Sequence, residues 1–297
     1  MHACPAGCLE FNPIDPLSLL CHQAAIRHRA EEERADRVLY VTDAGQATHF
    51  DQVFQVGRKA GFDLKKNATE GILVAHELRL EHVPFGLVQG EDGKKFKTRS
   101  GETVKLKDLL DEAVRIARSD LEERSQAGAT GLDYEEVAKV VGIGAVKYAD
   151  LAMNRESNYR FSYRKMLALN GNTAPYMLYA YARIQGIRRK ASEGLAKSSN
   201  LSPLSLYLEH PAELSLATQL LRLPDVLLRL EADLYPNQLC DYLFETSQKF
   251  NKFYEQCPVN SAPTEAVRAS RACICAATAD TLKLALGLLG IGVVDRL

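Results

Sequence analysis

Four cations lie within six residues about a third of the way along the chain, and they are Lys94, Lys95, Lys97 and Arg99. Glycines flank the cluster at Gly93 and Gly101, which predicts an exposed loop. Lysine supplies point charges and arginine a planar fork of donors, and both suit a polyanion such as a phosphate chain. The same pattern is typical of a solvated basic turn, so the residue types alone leave both interpretations open.

The overall composition is that of an ordinary globular protein. The 297 residues include 37 basic and 38 acidic side chains, so any surface for nucleic acid must come from local clustering. No run of about 18 apolar residues is present, so the sequence predicts no membrane-spanning segment. The seven cysteines show no C-x-x-C spacing, which favours a reducing compartment and argues against a zinc site.

The first hundred residues follow the rhythm of a parallel α/β sheet. The patterns predict a helix, a buried strand, a second helix and a second buried strand, over residues 23–34, 37–42, 47–60 and 84–88. Residues 66–81 are less regular and are predicted to form a surface excursion. Ligands bind such sheets beyond the carboxyl ends of the strands, where Gln46 and His49 stand. Gln46 as a turn or cap residue and His49 as a half-buried helix residue are equally open interpretations.

The rest of the chain is helical in pattern, so the fold class is α/β plus all-α. An amphipathic helix is predicted over 104–124, then two short helices meeting at Gly142, and a domain boundary near Arg160. Beyond it, Thr173 is predicted to cap a helix and Pro175 to lie in its first turn. Helices are also predicted over 211–222 and 225–234, from Pro236 onwards, and over 265–289 with a stop at Gly290.

The helix after Thr173 places aromatic rings beside cations. Its members Tyr176, Tyr179, Arg183 and Arg188 could stack on bases and contact phosphates. Tyr176, Tyr179 and Arg183 at helical spacing are equally compatible with a core and its rim. The stripe on the helix from Pro236 is predicted to be core, and it comprises Leu239, Tyr242, Leu243, Thr246, Phe250 and Phe253.

Several of these segments together resemble one known family. The string K-F-K-T-R-S-G from Lys95 resembles the K-M-S-K-S loop of class I aminoacyl-tRNA synthetases, in the form found in arginyl-tRNA synthetases. Residues 40–50 resemble that family's Y-V-x-x-x-x-Q-x-x-H-F pattern. The stretch G-N-T-A-P-Y-M-L-Y-A-Y-A-R-I looks like the first helix of its anticodon-binding domain, and Asp280-Thr281-Leu282-Lys283 like its D-A-L-R element. The resemblance covers about residues 24–297.

This resemblance implies an architecture. Residues 1–21 would be a disordered lead or sequence foreign to the family. Residues 22–104 would be the C-terminal half of a Rossmann-type catalytic domain, and 105–160 a helical linker that contacts the tRNA stem. Residues 161–297 would be the helical anticodon-binding domain.

The resemblance also implies roles for single residues. Lys95, Lys97 and Arg99 would be catalytic and stabilise charge on the ATP phosphates, and Gln46 would bind arginine. The remaining ATP-binding residues would be His49, Gly86, Val88 and Thr98. The tRNA-binding residues would be Tyr176, Tyr179, Arg183 and Arg188. ATP as substrate, Mg²⁺, arginine and tRNA(Arg) are therefore expected, with no protein metal site, in a monomer of the cytoplasm or an organelle.

The sequence departs from the family pattern at its start. The seven histidines form no H-x-G-H motif, and His22 stands where the family has an aspartate that holds arginine. We therefore expect the C-terminal part of an arginine–tRNA ligase preceded by unrelated residues. Two rival hypotheses remain: a non-catalytic tRNA-binding protein derived from such an enzyme, and a helical scaffold with a vestigial α/β half.

Overall fold

The computed structural model describes residues 16–62, 64–65, 76–90, 105–125, 133–195 and 206–297. The chain divides into two compact units, Met1–Leu87 and Val88–Leu297. No helix in the described ranges is long and apolar enough to cross a membrane. The described cysteines are free thiols, namely Cys21, Cys240, Cys257, Cys273 and Cys275.

The first unit contains a small parallel sheet with helices packed on it. Its elements in chain order are α1 (Pro16–Glu31), β1 (Arg37–Asp43), a 3-10 turn (Ala44–Gln46), α2 (Ala47–Lys59), β2 (Leu64–Lys65), β3 (His76–Glu77) and β4 (Arg79–Phe85). Strand β1 pairs in parallel with β4, from Arg37 opposite Arg79 to Asp43 opposite Phe85. Strands β2 and β3 pair antiparallel. The core is apolar and includes Ile26, Val38, Tyr40, Phe50, Val53, Phe54 and Leu80.

The prediction for the second strand was wrong, because the strand covers 79–85 rather than 84–88. Its middle carries Glu81 and His82, whose polarity hides the strand in an apolar-run search. The carboxylate of Glu81 is paired with Arg37 across the sheet, since Arg37 Nη2 on β1 lies 2.6 Å from one of its oxygens. Arg79 Nη2, two residues earlier on β4 itself, lies 2.8 Å from the other oxygen. An ion pair between neighbouring strands thus replaces the apolar contacts that the prediction required.

Two further expectations for this unit need correction. The first helix begins at Pro16 rather than residue 23, because proline is well tolerated in the first helical turn. Strand β1 is not buried on both faces: Val38 and Tyr40 point into the core, whereas Leu39 and Val41 are 41% and 63% exposed. Buried and exposed side chains therefore alternate along β1, as in a sheet that is covered on only one face.

The second unit is almost entirely helical. Two-residue strands β5 (Val88–Gln89) and β6 (Tyr159–Arg160) pair in parallel. The helices are α3 (Leu106–Ser125), α4 (Tyr134–Leu151), α5 (Tyr163–Met166), α6 (Ala174–Leu195), α7 (Pro211–Leu221), α8 (Leu223–Asp233), α9 (Asn237–Gln256) and α10 (Glu265–Leu288). One continuous core of buried side chains runs through this unit.

Helix α4 is continuous where two short helices were predicted. Asp133 caps it by accepting hydrogen bonds from the backbone N–H groups of Glu135 and Glu136. Gly142 lies inside this helix, where α4 packs against α3. A side chain is excluded there, because a Cβ would come within 2.7 Å of the Val114 backbone on α3. The glycine thus permits close packing of two helices and does not mark a helix start.

The capping and core predictions for the later helices are confirmed. Thr173 Oγ1 accepts a bond from the Tyr176 N–H and donates to the Ala168 carbonyl. Gly290 adopts a φ of 69° after α10, the left-handed conformation expected of a C-terminal stop. The predicted stripe on α9 is buried, and its members are Leu239, Tyr242, Leu243, Thr246, Phe250 and Phe253.

Candidate functional site

The turn after β1 presents the side chain of Gln46. Asp43 Oδ1 accepts a hydrogen bond from the Gly45 N–H at 2.8 Å, which closes the 3-10 turn at the end of the strand. Gln46 occupies the N-cap position of α2, yet its side chain makes no capping hydrogen bond. Gln46 therefore occupies the N-cap position without capping the helix through its side chain, and its amide lies at the carboxyl end of β1.

His49 lies in the first turn of α2 and is buried among aromatic rings. Its ring packs edge-on against His22 of α1 at 5.2 Å and against Phe50 at 5.4 Å. On the other side, Phe50 stacks on His82 of β4, with ring centroids 5.1 Å apart. His82 Nε2 in turn lies 2.8 Å from Thr42 Oγ1. This cluster fixes α1 and α2 against the sheet. The sequence alone predicts no such role for His22 and His82, because their partners lie on α2 and β1.

The other residues expected to bind ATP or its phosphates are distributed along the chain. Gly86 directly follows β4, and Asp43 pairs with Phe85, so Gly86 and the Gln46 turn lie at the same edge of the parallel sheet. Val88 belongs to the second unit, where it pairs with Tyr159. The remaining predicted residues lie outside the described ranges, and they are Lys95, Lys97, Thr98 and Arg99.

In the helical unit the structure brings three of the four predicted RNA-binding residues together. Tyr176, Tyr179 and Arg183 lie on one face of α6, and Asn251 of α9 joins two of them. Arg183 Nη1 donates to Asn251 Oδ1 at 3.0 Å, and Asn251 Nδ2 donates to Tyr176 Oη at 2.8 Å. The amide of Asn251 therefore sets the position of both α6 side chains.

The Arg183 guanidinium lies between two aromatic rings. Its Cζ is 5.0 Å from the ring centroid of Tyr179 and 5.0 Å from that of Tyr254 on α9. Cation–π contacts of this kind hold the guanidinium plane in one orientation. Within the described part of the chain Arg183 forms no ion pair, so its charge is not neutralised by a carboxylate. Tyr179 is 44% exposed, which leaves ring surface open beside the charge.

Arg188 lies elsewhere on α6. It follows Arg183 by five residues, which is roughly 140° further around a helix. Its charge instead acts on Tyr181, whose pKa is raised by burial and by Asp295 and is partly lowered again by Arg188. Arg188 is exposed and is not part of the cluster around Asn251.

Sequence reasoning missed the α9 contribution to this surface. Phe250 and Phe253 were correctly predicted to be core, and both are fully buried. Asn251 and Tyr254 each follow one of these phenylalanines by a single position, which rotates them to the edge of the buried stripe. A search for polar and aromatic residues bordering that stripe would have found them, but their contact with α6 bridges 68 positions between Arg183 and Asn251.

Two known families match the chain. The family described as tRNA synthetases class I (R), catalytic domain, matches residues 19–163. The DALR anticodon binding domain matches residues 177–297. The predicted order of an α/β part followed by a helical anticodon-type part is thereby confirmed.

Similar curated proteins carry the name arginine–tRNA ligase. The arginine–tRNA ligase of a Picosynechococcus species is 54% identical over 277 residues, and the match covers 92% of this chain and 45% of the relative. The arginine–tRNA ligase of Synechococcus elongatus is 55% identical over 280 residues, with the same coverage. The chain thus spans less than half the length of these relatives.

Solved structures agree with the sequence matches. The arginyl-tRNA synthetase of Plasmodium falciparum superposes with a TM-score of 0.74 at 30% identity, covering 93% of this chain and 44% of that one. The Thermus thermophilus enzyme superposes with a TM-score of 0.72 at 25% identity, covering 89% and 42%. The chain belongs to the arginyl-tRNA synthetase family.

Proposed function

We propose that this chain takes part in arginine–tRNA ligation, in which ATP activates arginine and the arginyl group passes to tRNA(Arg). The observation that carries the proposal is the placement of Arg183 between Tyr179 and Tyr254, tied to Asn251. An oriented guanidinium beside open aromatic surface is suited to one phosphate and one stacked base of an RNA strand. The family uses ATP as a substrate.

Within this proposal residues 22–104 would serve arginine and ATP. Gln46 would accept hydrogen bonds from arginine, because its amide is unengaged by the helix it precedes. His49, Gly86, Val88 and Thr98 would contact ATP. Lys95, Lys97 and Arg99 would stabilise charge on the transferring phosphates.

Mg²⁺ would arrive on the ATP phosphates. Among the described residues no three His, Cys, Asp or Glu side chains cluster closely enough to hold a metal ion. Magnesium is commonly bound by substrate phosphates with few protein ligands, so its participation does not require such a cluster.

The division of labour along the chain is part of the same proposal. Residues 22–104 would form the catalytic portion, 105–160 the stem-contacting linker and 161–297 the anticodon-binding domain. Tyr176, Tyr179, Arg183 and Arg188 would contact tRNA. The protein would act as a monomer in the cytoplasm.

A second candidate function is tRNA binding without catalysis. It is favoured by one observation: every residue of the Arg183 cluster lies in the helical unit, so that this surface requires nothing from the first unit. Arginine-dependent exchange of pyrophosphate into ATP separates the two functions. Exchange by a fusion of this chain to the N-terminal part of a full-length relative supports the ligase, whereas tRNA binding without exchange by that fusion supports the alternative. Salt-insensitive binding of another protein, with no tRNA affinity, would instead support the scaffold hypothesis.

The direct test of the proposed surface is binding of a tRNA(Arg) transcript to the full chain. Tyr179→Ala should weaken binding by about 1–3 kcal/mol, the usual contribution of one base stacked on a ring. Tyr207→Ala is the matched control, because Tyr207 is 46% exposed and Tyr179 44%, and both lie in the same unit. Equal effects of the two substitutions would contradict the assignment.

Salt dependence gives a second readout. Arg183→Gln should lower the slope of log affinity against log salt by about one, because one phosphate contact is lost. A slope unchanged between the two proteins over roughly 50 to 200 mM salt would show that Arg183 contacts no phosphate.

A further inference from the structure

The helical unit contains a second concave surface, separate from the α6–α9 cluster. It is a cleft of about 310 Å³ bounded by α4, β6, α5 and the start of α6. Pockets for small organic ligands begin at roughly this size. The cleft is held open by regular structure, since β6 is paired with β5 and Phe161 N–H donates to the Gln89 carbonyl at 2.8 Å.

The charge of this cleft has one sign. Arg160 and Lys165 line it, and both side chains are exposed. Neither forms an ion pair or a side-chain hydrogen bond with any residue the structure describes, and no acidic residue is among the described residues that line the cleft. Two cations at one small opening repel each other unless an anion joins them. A phosphate group accepts hydrogen bonds from both an arginine fork and a lysine ammonium.

The floor of the cleft is apolar and shallow. Ala145 and Ala149 of α4 and Ala152 at its C-cap leave a trough, because they are separated by four and three positions and so lie on one face. The apolar lining consists of Ala145, Ala149, Ala152, Met153 and Met166. The ring of Tyr159 forms part of the wall. Burial, and then the neighbouring Asp150, raise the pKa of Tyr159, so its phenol stays neutral.

The remaining polar groups of the lining are largely engaged. Asn172 Oδ1 accepts a bond from Tyr148 Oη at 2.6 Å, and its Nδ2 donates to Asp241. Thr173 Oγ1 donates to the Ala168 carbonyl at 2.7 Å. Ser162 also lines the cleft, and its hydroxyl makes no capping hydrogen bond at the start of α5. The groups that can bind a ligand are therefore two cations and one hydroxyl beside an apolar trough.

We propose that this cleft binds a nucleotide, with its phosphate on Arg160 and Lys165 and its base in the alanine and methionine trough. The ligand is a nucleoside 5′-phosphate. It could be a nucleotide within a bound RNA strand or a free mononucleotide, and both present the same chemical groups. The proposal that the cleft binds a nucleotide depends only on the cleft. The proposal that this nucleotide belongs to a bound RNA depends on the proposed function.

Methionine methyl resonances provide a local probe of this site in the full chain. The sequence has only 4 methionines: Met1, Met153, Met166 and Met177. Met153 and Met166 line the cleft, whereas Met177 is fully buried in the core. In protein labelled with ¹³C at the methionine methyls, AMP should shift the Met153 and Met166 signals saturably and leave Met177 unmoved. Adenosine and inorganic phosphate should each bind at least roughly tenfold more weakly than AMP, because each lacks one half of the contacts.

Two variants test the two halves of the site. The double variant R160A/K165A should weaken AMP binding by roughly tenfold or more, whereas the equally charged control R229A/K283A should stay within about twofold. Arg229 and Lys283 are exposed cations on α8 and α10, away from the cleft lining. Ala149→Leu should fill the trough and abolish the shifts, and an unchanged Met177 signal shows that the core is intact.

The outcomes separate the site from its source and from the proposed function. Displacement of AMP by a tRNA(Arg) transcript, with shifts of the same two methyls, supports the site and identifies RNA as the source. Persistence of the AMP shifts at saturating tRNA supports the site with a free nucleotide as its ligand. AMP shifts in a chain that binds no tRNA support the site and count against the proposed function. Unmoved Met153 and Met166 signals with both AMP and tRNA, or an equal effect of R229A/K283A, would overturn the proposal.

Discussion

Arg271 donates through Nε to Oε1 of Glu213 at 2.6 Å, and this ion pair joins α10 to the first turn of α7. The side chain of Glu213 is 1% exposed and that of Arg271 11%. The other oxygen of Glu213 accepts from the backbone N–H groups of Glu209 and His210, each at 2.9 Å. Arg271 also donates to the Pro258 carbonyl. One carboxylate thus accepts hydrogen bonds both from the backbone at the start of α7 and from Arg271 on α10.

Glu213→Gln should lower the free energy of unfolding by about 3 kcal/mol, because it leaves Arg271 buried without a counter-charge. Urea unfolding measures this change. The control is Glu265→Gln, which removes the partner of Arg268 from a pair whose glutamate is 62% exposed. That exposed pair should contribute less than about 1 kcal/mol. Similar losses in the two variants would contradict a special role for the buried pair.

The same ion pair makes stability depend on pH. Burial opposes the ionised form of Glu213, but the hydrogen bonds from His210 and Arg271 outweigh it, so the folded-state pKa lies below the ordinary value. A depressed carboxyl pKa contributes stability above the unfolded-state pKa, and this contribution is lost as pH falls through the folded-state pKa. The difference in unfolding free energy between the wild type and Glu213→Gln should therefore be full near neutral pH and shrink in acid. A difference that is constant down to strongly acidic pH would show that Glu213 is not ionised in the folded protein.

The contact between α3 and α4 requires a glycine at 142. Gly142→Ala should lower the unfolding free energy by about 1–3 kcal/mol, because the new methyl group meets the Val114 backbone, which cannot rotate away. Gly287→Ala is the opposite control, since a Cβ added there within α10 meets nothing within 4 Å. This second change should stabilise by roughly 0.4–1 kcal/mol by restricting the unfolded chain. Thermal unfolding shows whether each variant is stabilised or destabilised. Destabilisation of both variants would show that the effect of Gly142→Ala does not come from the Val114 contact.

How much of this protein follows from its sequence depends on whether the signal is local. The buried stripe of α9 repeats every three to four residues, so periodicity alone identifies Phe250 and Phe253 as core. The stop at Gly290 is equally local. Strand β4 was misplaced because Glu81 interrupts its apolar run, and only its ion pair with Arg37 on the neighbouring strand β1 explains why a carboxylate lies there.

The candidate sites show the same division. Tyr176, Tyr179 and Arg183 share a face through their spacing alone. Asn251, which orients Tyr176 and Arg183, is identified only once α6 and α9 are packed together. Likewise, the sequence pattern predicts a helix break at Gly142, because nothing in the neighbouring residues indicates that the Val114 backbone packs against this position. Long-range packing therefore supplies what residue types and spacing leave open.

The basic loop makes a prediction about catalysis that depends on the proposed function. In a fusion of this chain to the N-terminal part of a full-length relative, the double variant K95A/K97A should raise the barrier to arginine activation by about 2–4 kcal/mol. This magnitude is typical of lost charge-stabilising contacts in a transition state. Pyrophosphate exchange measures it, with K139A/K252A as a control that removes two exposed lysines from α4 and α9. Normal exchange in the K95A/K97A fusion would exclude the loop from the mechanism.

The small sheet makes a prediction about self-association. Leu39 and Val41 point away from the core and are 41% and 63% exposed, so β1 offers an apolar surface that parallel sheets normally cover. The double variant L39T/V41T should reduce concentration-dependent association of the chain, because threonine keeps the β-branched shape while exposing less apolar area. Sedimentation velocity over a concentration series measures the effect. Leu221→Thr is the control, because Leu221 is 79% exposed but lies on a helix. If L39T/V41T associates as the wild type does, or if Leu221→Thr alone abolishes association, the sheet face is not the surface responsible.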